Sequence, residues 1–313
     1  NGIIYSDLFV SYYNNVYRRY FIYLPRSKNK VEIMDVLKIK NFWKIFKQNK
    51  LGVVGLIILL IFVFLAIFAP LLARFPSLTT GAGEAFLNPS FKHLLGTDNL
   101  GRDLYSELLF GARITLVVSF IAVITSTVVG VLFGSIAGYY GGIIDSILMR
   151  ITEIFLVIPP IFLALVLVAI FGANITNMII VISVLSWPQT ARLVRAEILS
   201  LKERPYCKAA IATGESDFKI IFSELVPNTM TTIIVNLSLT QATAILIESA
   251  LSFLGFGDSS MVSWGLMLNN AQEFFRQSWF MVFFPGMSIF LVVLSLNLVG
   301  EGLNDVFNPR RKK

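Results

Sequence analysis

Asn236, Gln241 and Glu248 stand in a single apolar run, "TTIIVNLSLTQATAILIESALSFLGFG", residues 231–257. An amide or carboxyl group is costly in such company, so each is a candidate for binding or relaying something polar. Gln241 and Glu248 are seven residues apart and share one face of a helix. Either they line a permeation pathway or they tie two helices together by hydrogen bonds, and the residues alone leave both readings open. Glu153 follows Arg150 by three residues and pairs with it on the same helix. Other chemistries lack their parts. Cys207 is the single cysteine and His93 the single histidine, which excludes internal disulfides and a cysteine-based zinc site. His93, a lone imidazole, is expected at the surface. No G-x-x-x-x-G-K-[ST] phosphate loop, Gly-rich dinucleotide turn, nucleophile elbow or H-E-x-x-H occurs. No catalytic set, cofactor or metal is therefore expected in this chain, and any nucleotide is hydrolysed elsewhere.

The elements that hold these residues follow from composition. Of 313 residues, 56% are hydrophobic and 14% charged, with a mean hydropathy of +0.74. Soluble domains carry about one quarter charged residues. A low charge with apolar runs of about twenty residues places the chain in the membrane class. Residues 51–73 are uncharged and as a helix cover about 34 Å, enough for a hydrocarbon core of about 30 Å. Further spans are predicted at 114–139, 147–171, 177–191 (with an extension toward 200), 229–256 and 278–303. The third is interrupted by Pro159–Pro160. The expected fold is thus all-α with six transmembrane helices, because the apolar runs are continuous rather than alternating as in a barrel.

Charge sets the orientation. With both termini inside, 21 of the 26 lysines and arginines fall on the inner side and five on the outer, which is the arrangement the positive-inside rule favours. Residues 1–50 form a cytoplasmic tail without an apolar signal region. In its "KIKNFWKIFKQNK", Ile39, Phe42, Trp43 and Phe46 recur at helical spacing. That spacing fits a helix lying on the inner leaflet, or a basic, aromatic anchor for the first span. Gly130, Gly134 and Gly138 clear one helix face for close packing, within the chain or against another subunit.

Two polar segments remain. "HLLGTDNLGRDLYSELLFGAR" falls outside, with Thr97 or Asp98 as a helix cap and turns at Gly96 and Gly101. "YCKAAIATGESDFKIIFSELVPN" falls inside. Pro205 suits a helix start, Gly214 a helix end, and Ser216 or Asp217 a new cap. Phe218, Ile221, Phe222 and Leu225 then make an apolar stripe that Pro227 should end. A helix–glycine–helix on the inner face covers its own membrane domain or docks on a partner.

These segments resemble a known family. "KAAIATGESDFKIIFSELVPN" is similar to the E-A-A-x-x-x-G loop of type I ABC importer permeases. "LGTDNLGRDLYSELLFGARITL", "GYYGGIIDSILMRITEIFLVIPP", "ALSFLGFG", "SWGLML" and "PGMSIFLVVLSLNLVGEGLNDVFNPR" resemble, in order, the C-type subunits of its oligopeptide/dipeptide/nickel branch. The likeness covers about residues 44–310. It implies a type I permease fold and a first helix with its outer loop over 51–111. It further implies a core over 112–303 with a coupling loop at 201–227, and a basic tail at 304–313. It also implies a cell-membrane location, a second homologous permease, two cytoplasmic ATPases that bind ATP and magnesium, and an extracytoplasmic binding protein. Membrane lipid is the surrounding medium, and no nucleic acid is implied.

The family's ATPase-coupling role would fall on Lys208, Ala209, Ala210, Gly214, Glu215, Ser216 and Phe218. Two positions depart from the pattern. Lys208 stands where the family has Glu, and Val226 where it has Leu, so the reversed charge at 208 needs a compensating acid. Asp98, Arg102 and Trp264 would face the binding protein. The implied substrate is a di- or oligopeptide, with oligosaccharides or nickel chelates as alternatives. A proton-coupled transporter relaying through Glu248 or Glu153 is the rival class.

Overall fold

A computed structural model describes residues 42–307. Two units are distinguished, 1–48 and 49–313. Of the first, residues 42–46 form a helical turn whose aromatic rings pack together, Phe42 stacking on Phe46 at 6.1 Å. Ile39 and the remainder of the expected inner-leaflet helix lie outside the described residues, as do residues 308–313 of the expected tail 304–313, whose first four residues continue the last helix.

In the second unit the regular elements of the described residues are helices, with one isolated antiparallel bridge, Thr97 to Asp103, in the loop before Leu104. The first helix, α1 (Lys50–Ile67), is capped by the Asn49 side chain, which accepts from the Gly52 N–H at 2.8 Å. It stops short of residue 73. Phe68 breaks the run ahead of Pro70, and a short helix α2 (Ala69–Leu72) follows. Helix α3 (Leu104–Tyr140) is 37 residues long, about 55 Å, and overshoots the hydrocarbon core. It starts ten residues before the expected span, because Asp103 rather than Thr97 or Asp98 caps it, accepting from the Ser106 N–H at 2.9 Å. Helices α4 (Gly142–Val157) and α5 (Pro160–Phe171) meet at 90° across the proline pair. Helix α6 (Ile175–Lys202) runs beyond both expected ends and keeps Pro188 inside it.

The polar hairpin forms α7 (Pro205–Ala212) and the start of α8 (Asp217–Phe256). Pro227 does not end the second helix. A π-helical stretch over Ile220–Leu225 precedes the proline, and the wider turn accommodates a residue that has no N–H to donate. The second hairpin helix and the fifth expected span are consequently one helix of 40 residues. A loop leads to α9 (Trp264–Ala271), and α10 (Phe280–Phe307) closes the unit.

Four of these helices, α1, α3, α8 and α10, are long and apolar enough to cross a bilayer, and the α4–α5 pair passes the same test together, as a broken span or a re-entrant loop bent by 90°. Helix α6 has the length but carries Arg192, Arg195, Glu197 and Lys202 in its second half. It is held inside the bundle, with Ile182, Ala191 and Ile198 fully buried. The glycine stripe explains how. A Cβ on Gly134 would lie 2.4 Å from the Ala191 carbonyl oxygen, and one on Gly130 would lie 2.7 Å from Thr190 Cβ. The stripe therefore packs α3 onto α6 within the chain. Small residues also seat α1 on α10, where a Cβ on Gly55 would come 2.8 Å from the Ser295 oxygen.

Candidate functional site

The two ends of α3 carry the two polar segments, about 55 Å apart along its axis. At the C-terminal end lies the hairpin. Pro205 opens α7, Gly214 turns the chain with φ +75°, and Ser216 occupies the cap position of α8 without a side-chain capping bond. The Gly214 and Glu215 N–H groups donate back to the Ile211 and Ala210 carbonyls at 3.0 and 3.2 Å. Glu215 pairs with Lys219 at 2.7 Å, and this contact raises the Lys219 pKa. Cys207 is buried with Ile220, Ile221 and Leu225 against α6, and that burial pushes its thiol pKa up.

The opposite face is open. Lys208, Ala209, Gly214, Ser216 and Phe218 are exposed, Ala210 and Glu215 partly so. Phe218 is 73% exposed, with its ring 4.7 Å from that of Phe222. All seven expected residues thus gather on one tip of the unit. Lys208 finds its acid within the chain: its ammonium lies 2.8 Å from Glu203, whose carboxyl it holds below the usual range. The sequence reading overlooked Tyr206 and Ile211, apolar side chains also exposed on this tip. Their unpaired exposure is a tertiary fact that periodicity does not report.

The other end of α3 is a tightly bonded loop. Thr97 Oγ donates to the Glu84 carbonyl at 2.6 Å and accepts from the Leu87 N–H at 2.8 Å. His93 is buried rather than at the surface, its Nδ1 lying 2.9 Å from Asp103 Oδ1 and its ring stacked on Phe75. Asp98 accepts from the Leu100 and Arg102 N–H groups at 2.8 and 2.7 Å. Burial pushes its carboxyl pKa up against those bonds. Arg102 is half-buried and reaches Glu107 at 3.4 Å. Trp264 is fully buried, its indole N–H donating to the Leu108 carbonyl at 3.0 Å. Asp98 and Trp264 accordingly offer no surface to a partner here. What this loop does present is Phe91, at 97% exposure, beside Lys92.

Between the ends, the three polar residues of α8 bond across helices or within their own. Asn236 donates to Thr190 on α6 at 3.2 Å, and Gln241 to Ser119 on α3 at 2.7 Å. Glu248 is enclosed, accepting from Ser252 at 2.9 Å. Gln241 also lines a cavity of about 680 Å³ between α1, α3, α8 and α10, an apolar space in which Arg113 is the charged residue. Arg150 and Glu153 pair at 3.3 Å on the exposed face of α4.

Residues 130–313 match the family described as "Binding-protein-dependent transport system inner membrane component". The chain belongs to that family. Residues 39–89 of this permease match the "N-terminal TM domain of oligopeptide transport permease C". It is 42% identical, over 86% of its length and 89% of the relative's, to a dipeptide transport system permease protein of Alkalihalophilus pseudofirmus. A dipeptide transport system permease of Bacillus subtilis is 36% identical over 96% of both chains. An oligopeptide transport system permease of the same species is also 36% identical, over 86% of this permease and 88% of the relative. Family and helices together make it a multi-pass membrane protein of a transport system.

Proposed function

We propose that this permease forms half of the pathway of an ATP-driven peptide importer, and that its inner hairpin is where the energy enters. The names of its relatives support peptides as cargo. The observation that carries the coupling role is the continuity of α8. An exposed apolar tip around Phe218 and a membrane-crossing segment with Gln241 and Glu248 lie on one unbroken helix. A load on the tip reaches the crossing segment along the same helix, through the π-helical stretch Ile220–Leu225.

In this reading two ATPase subunits, with ATP and magnesium, clamp the tips of this permease and a homologous partner. Closure swings α8 and switches the side on which the cavity opens. The chain itself performs no chemistry. Coupling arises because the ATPases contact the tip differently in the two states. Lys208, Ala209, Ala210, Gly214, Glu215, Ser216 and Phe218 form the docking face with Ile211, while the Lys208–Glu203 pair meets the ATPase as a neutral unit. An extracytoplasmic binding protein delivers peptide at the end that carries Phe91, next to the buried Asp98 and Trp264 and the half-buried Arg102. The hydrogen-bonded Asn236, Gln241 and Glu248 hold the pathway helices in register.

The test is peptide uptake by the four-subunit complex in liposomes with saturated binding protein outside. Uptake should require hydrolysable ATP and stop with a non-hydrolysable analogue. Uptake driven by a proton gradient without ATP would sink the proposal in favour of a secondary transporter.

A further inference from the structure

Three helix ends converge on one tyrosine. Tyr139 lies in the last turn of α3 and is 7% exposed. Its hydroxyl donates to Asp217 Oδ1 at 2.7 Å, and Asp217 is the first residue of α8. Lys202, the last residue of α6, donates its ammonium to the Tyr139 backbone carbonyl and stands 5.2 Å from the centre of the same ring. Each contact answers a need of a helix terminus. A C-terminal carbonyl of α3 has no partner in its own helix, and the lysine supplies one. The N-terminus of α8 favours a negative charge, and Asp217 supplies that too. Around these polar links lie Val194, Ile198, Cys207, Ile220 and Leu225 in one apolar cluster. Nearby, Arg195 of α6 forms a two-pronged bond with Asp145 of α4, so the helix that Lys202 ends is itself braced.

We infer that Tyr139 is a positioning residue for coupling: its hydroxyl latches the hairpin to α3, so that displacement of the tip is transmitted to the bundle instead of being lost in lifting the hairpin. The inference rests on the coupling role given above to the hairpin. It adds a place where motion passes between helices as well as along α8. The latch is reversible by nature, because one hydrogen bond, from Tyr139 to Asp217, holds it on its polar side. Lys202 of α6 bears on the same tyrosine through its carbonyl and its ring.

The chain carries its own reporter. Cys207, its single cysteine, is fully buried on the hairpin between the same helices. A thiol reagent reaches it when the hairpin lifts. In the full-length permease in membranes, Tyr139→Phe keeps the ring and the Lys202 contact but removes the donor. Labelling of Cys207 by a small maleimide should become about tenfold faster, the scale of a lost hydrogen bond to a charged acceptor. Asp217→Ala should match it, and the double variant should be no faster than either single, since both remove the same bond. Asp217→Asn retains an oxygen that accepts but loses the charge, and should fall between, about threefold faster than the parent.

In the reconstituted four-subunit complex, Tyr139→Phe and Asp217→Ala should raise the ATP hydrolysed per peptide imported severalfold, with Asp217→Asn bringing the ratio back toward the parent's. A merely structural defect would lower hydrolysis and uptake together and leave the ratio unchanged, and that outcome overturns the inference. Unchanged Cys207 labelling in both Tyr139→Phe and Asp217→Ala overturns it as well. The underlying docking role fails by a different result: Phe218→Ala with Ile211→Ala leaving ATPase co-purification and uptake intact. The labelling shift at Cys207 would persist in that case.

Discussion

Gly214 bears the strictest demand of any residue on the hairpin. Its φ of +75° lies in the left-handed region, yet a Cβ added there would have no atom within 4 Å. Space is open, so the cost of a side chain is backbone strain alone, about 1–2 kcal/mol for an ordinary residue and more for a β-branched one. Gly214→Val should cut ATP-driven uptake severalfold while the permease still inserts, with melting lowered by only a few degrees. Gly214→Asn, whose side chain tolerates this conformation, should retain at least half the rate. A collapse with both substitutions, measured as uptake in liposomes, would point to direct contact of the glycine with a partner. Gly214 was legible in the sequence because a helix stop is local chemistry. The burial of His93 and Trp264 was not, since it depends on Phe75 and Leu108, residues brought to them only by the fold. Lys208 looked anomalous for the same reason, its acid standing five residues back across a helix start.

Among the elements, the α3–α6 seam is set by what glycine leaves out. At Gly134 a Cβ meets the Ala191 backbone oxygen at 2.4 Å, and backbone cannot step aside. Gly134→Leu should therefore force the helices apart, costing at least about 1–3 kcal/mol by overpacking. Melting in detergent should fall by several degrees. Gly286 in α10 is the control, because nothing lies within 4 Å of the Cβ it lacks. Gly286→Ala should leave the melting point unchanged or raise it, as alanine is the better helix former by about 1 kcal/mol. Equal effects of the two substitutions would mean that the seam is not packed as described. The sequence offered the stripe but not its partner, since spacing identifies a face and never what lies against it. The opposite failure occurred at Pro227. A proline after an amphipathic run reads as a stop, and only the π stretch before it reveals that the helix goes on.

At the scale of the whole molecule, six crossings with both termini inside put twenty-one lysines and arginines on the inner side and five on the outer, the arrangement the positive-inside rule favours. That orientation predicts Phe91 outside and Ile211 inside. Cysteine introduced at 91 should be labelled in intact cells by a membrane-impermeant maleimide, and cysteine at 211 only after permeabilisation. Reversal of that pattern would invert the transport direction argued above. Both side chains are exposed, and the native Cys207 is buried, so the background is low. The family was legible from ordered motifs, and the crossings from apolar length. The count at α6 was not settled by composition, because Arg192, Arg195, Glu197 and Lys202 crowd its second half and leave a shorter apolar stretch before them.

The continuity of α8 has a consequence for how this chain can vary. Phe218 and Gln241 lie on one helix, which is regular α-helix from Val226 onward. Between Val226 and Gln241 the angle about the axis is fixed by the number of residues, and deleting one there turns the tip by about 100° and draws it in by about 1.5 Å. Loops elsewhere in the molecule can lengthen or shrink at little cost. Between these two positions the chain has a phase, and a change of length there would aim the tip in another direction.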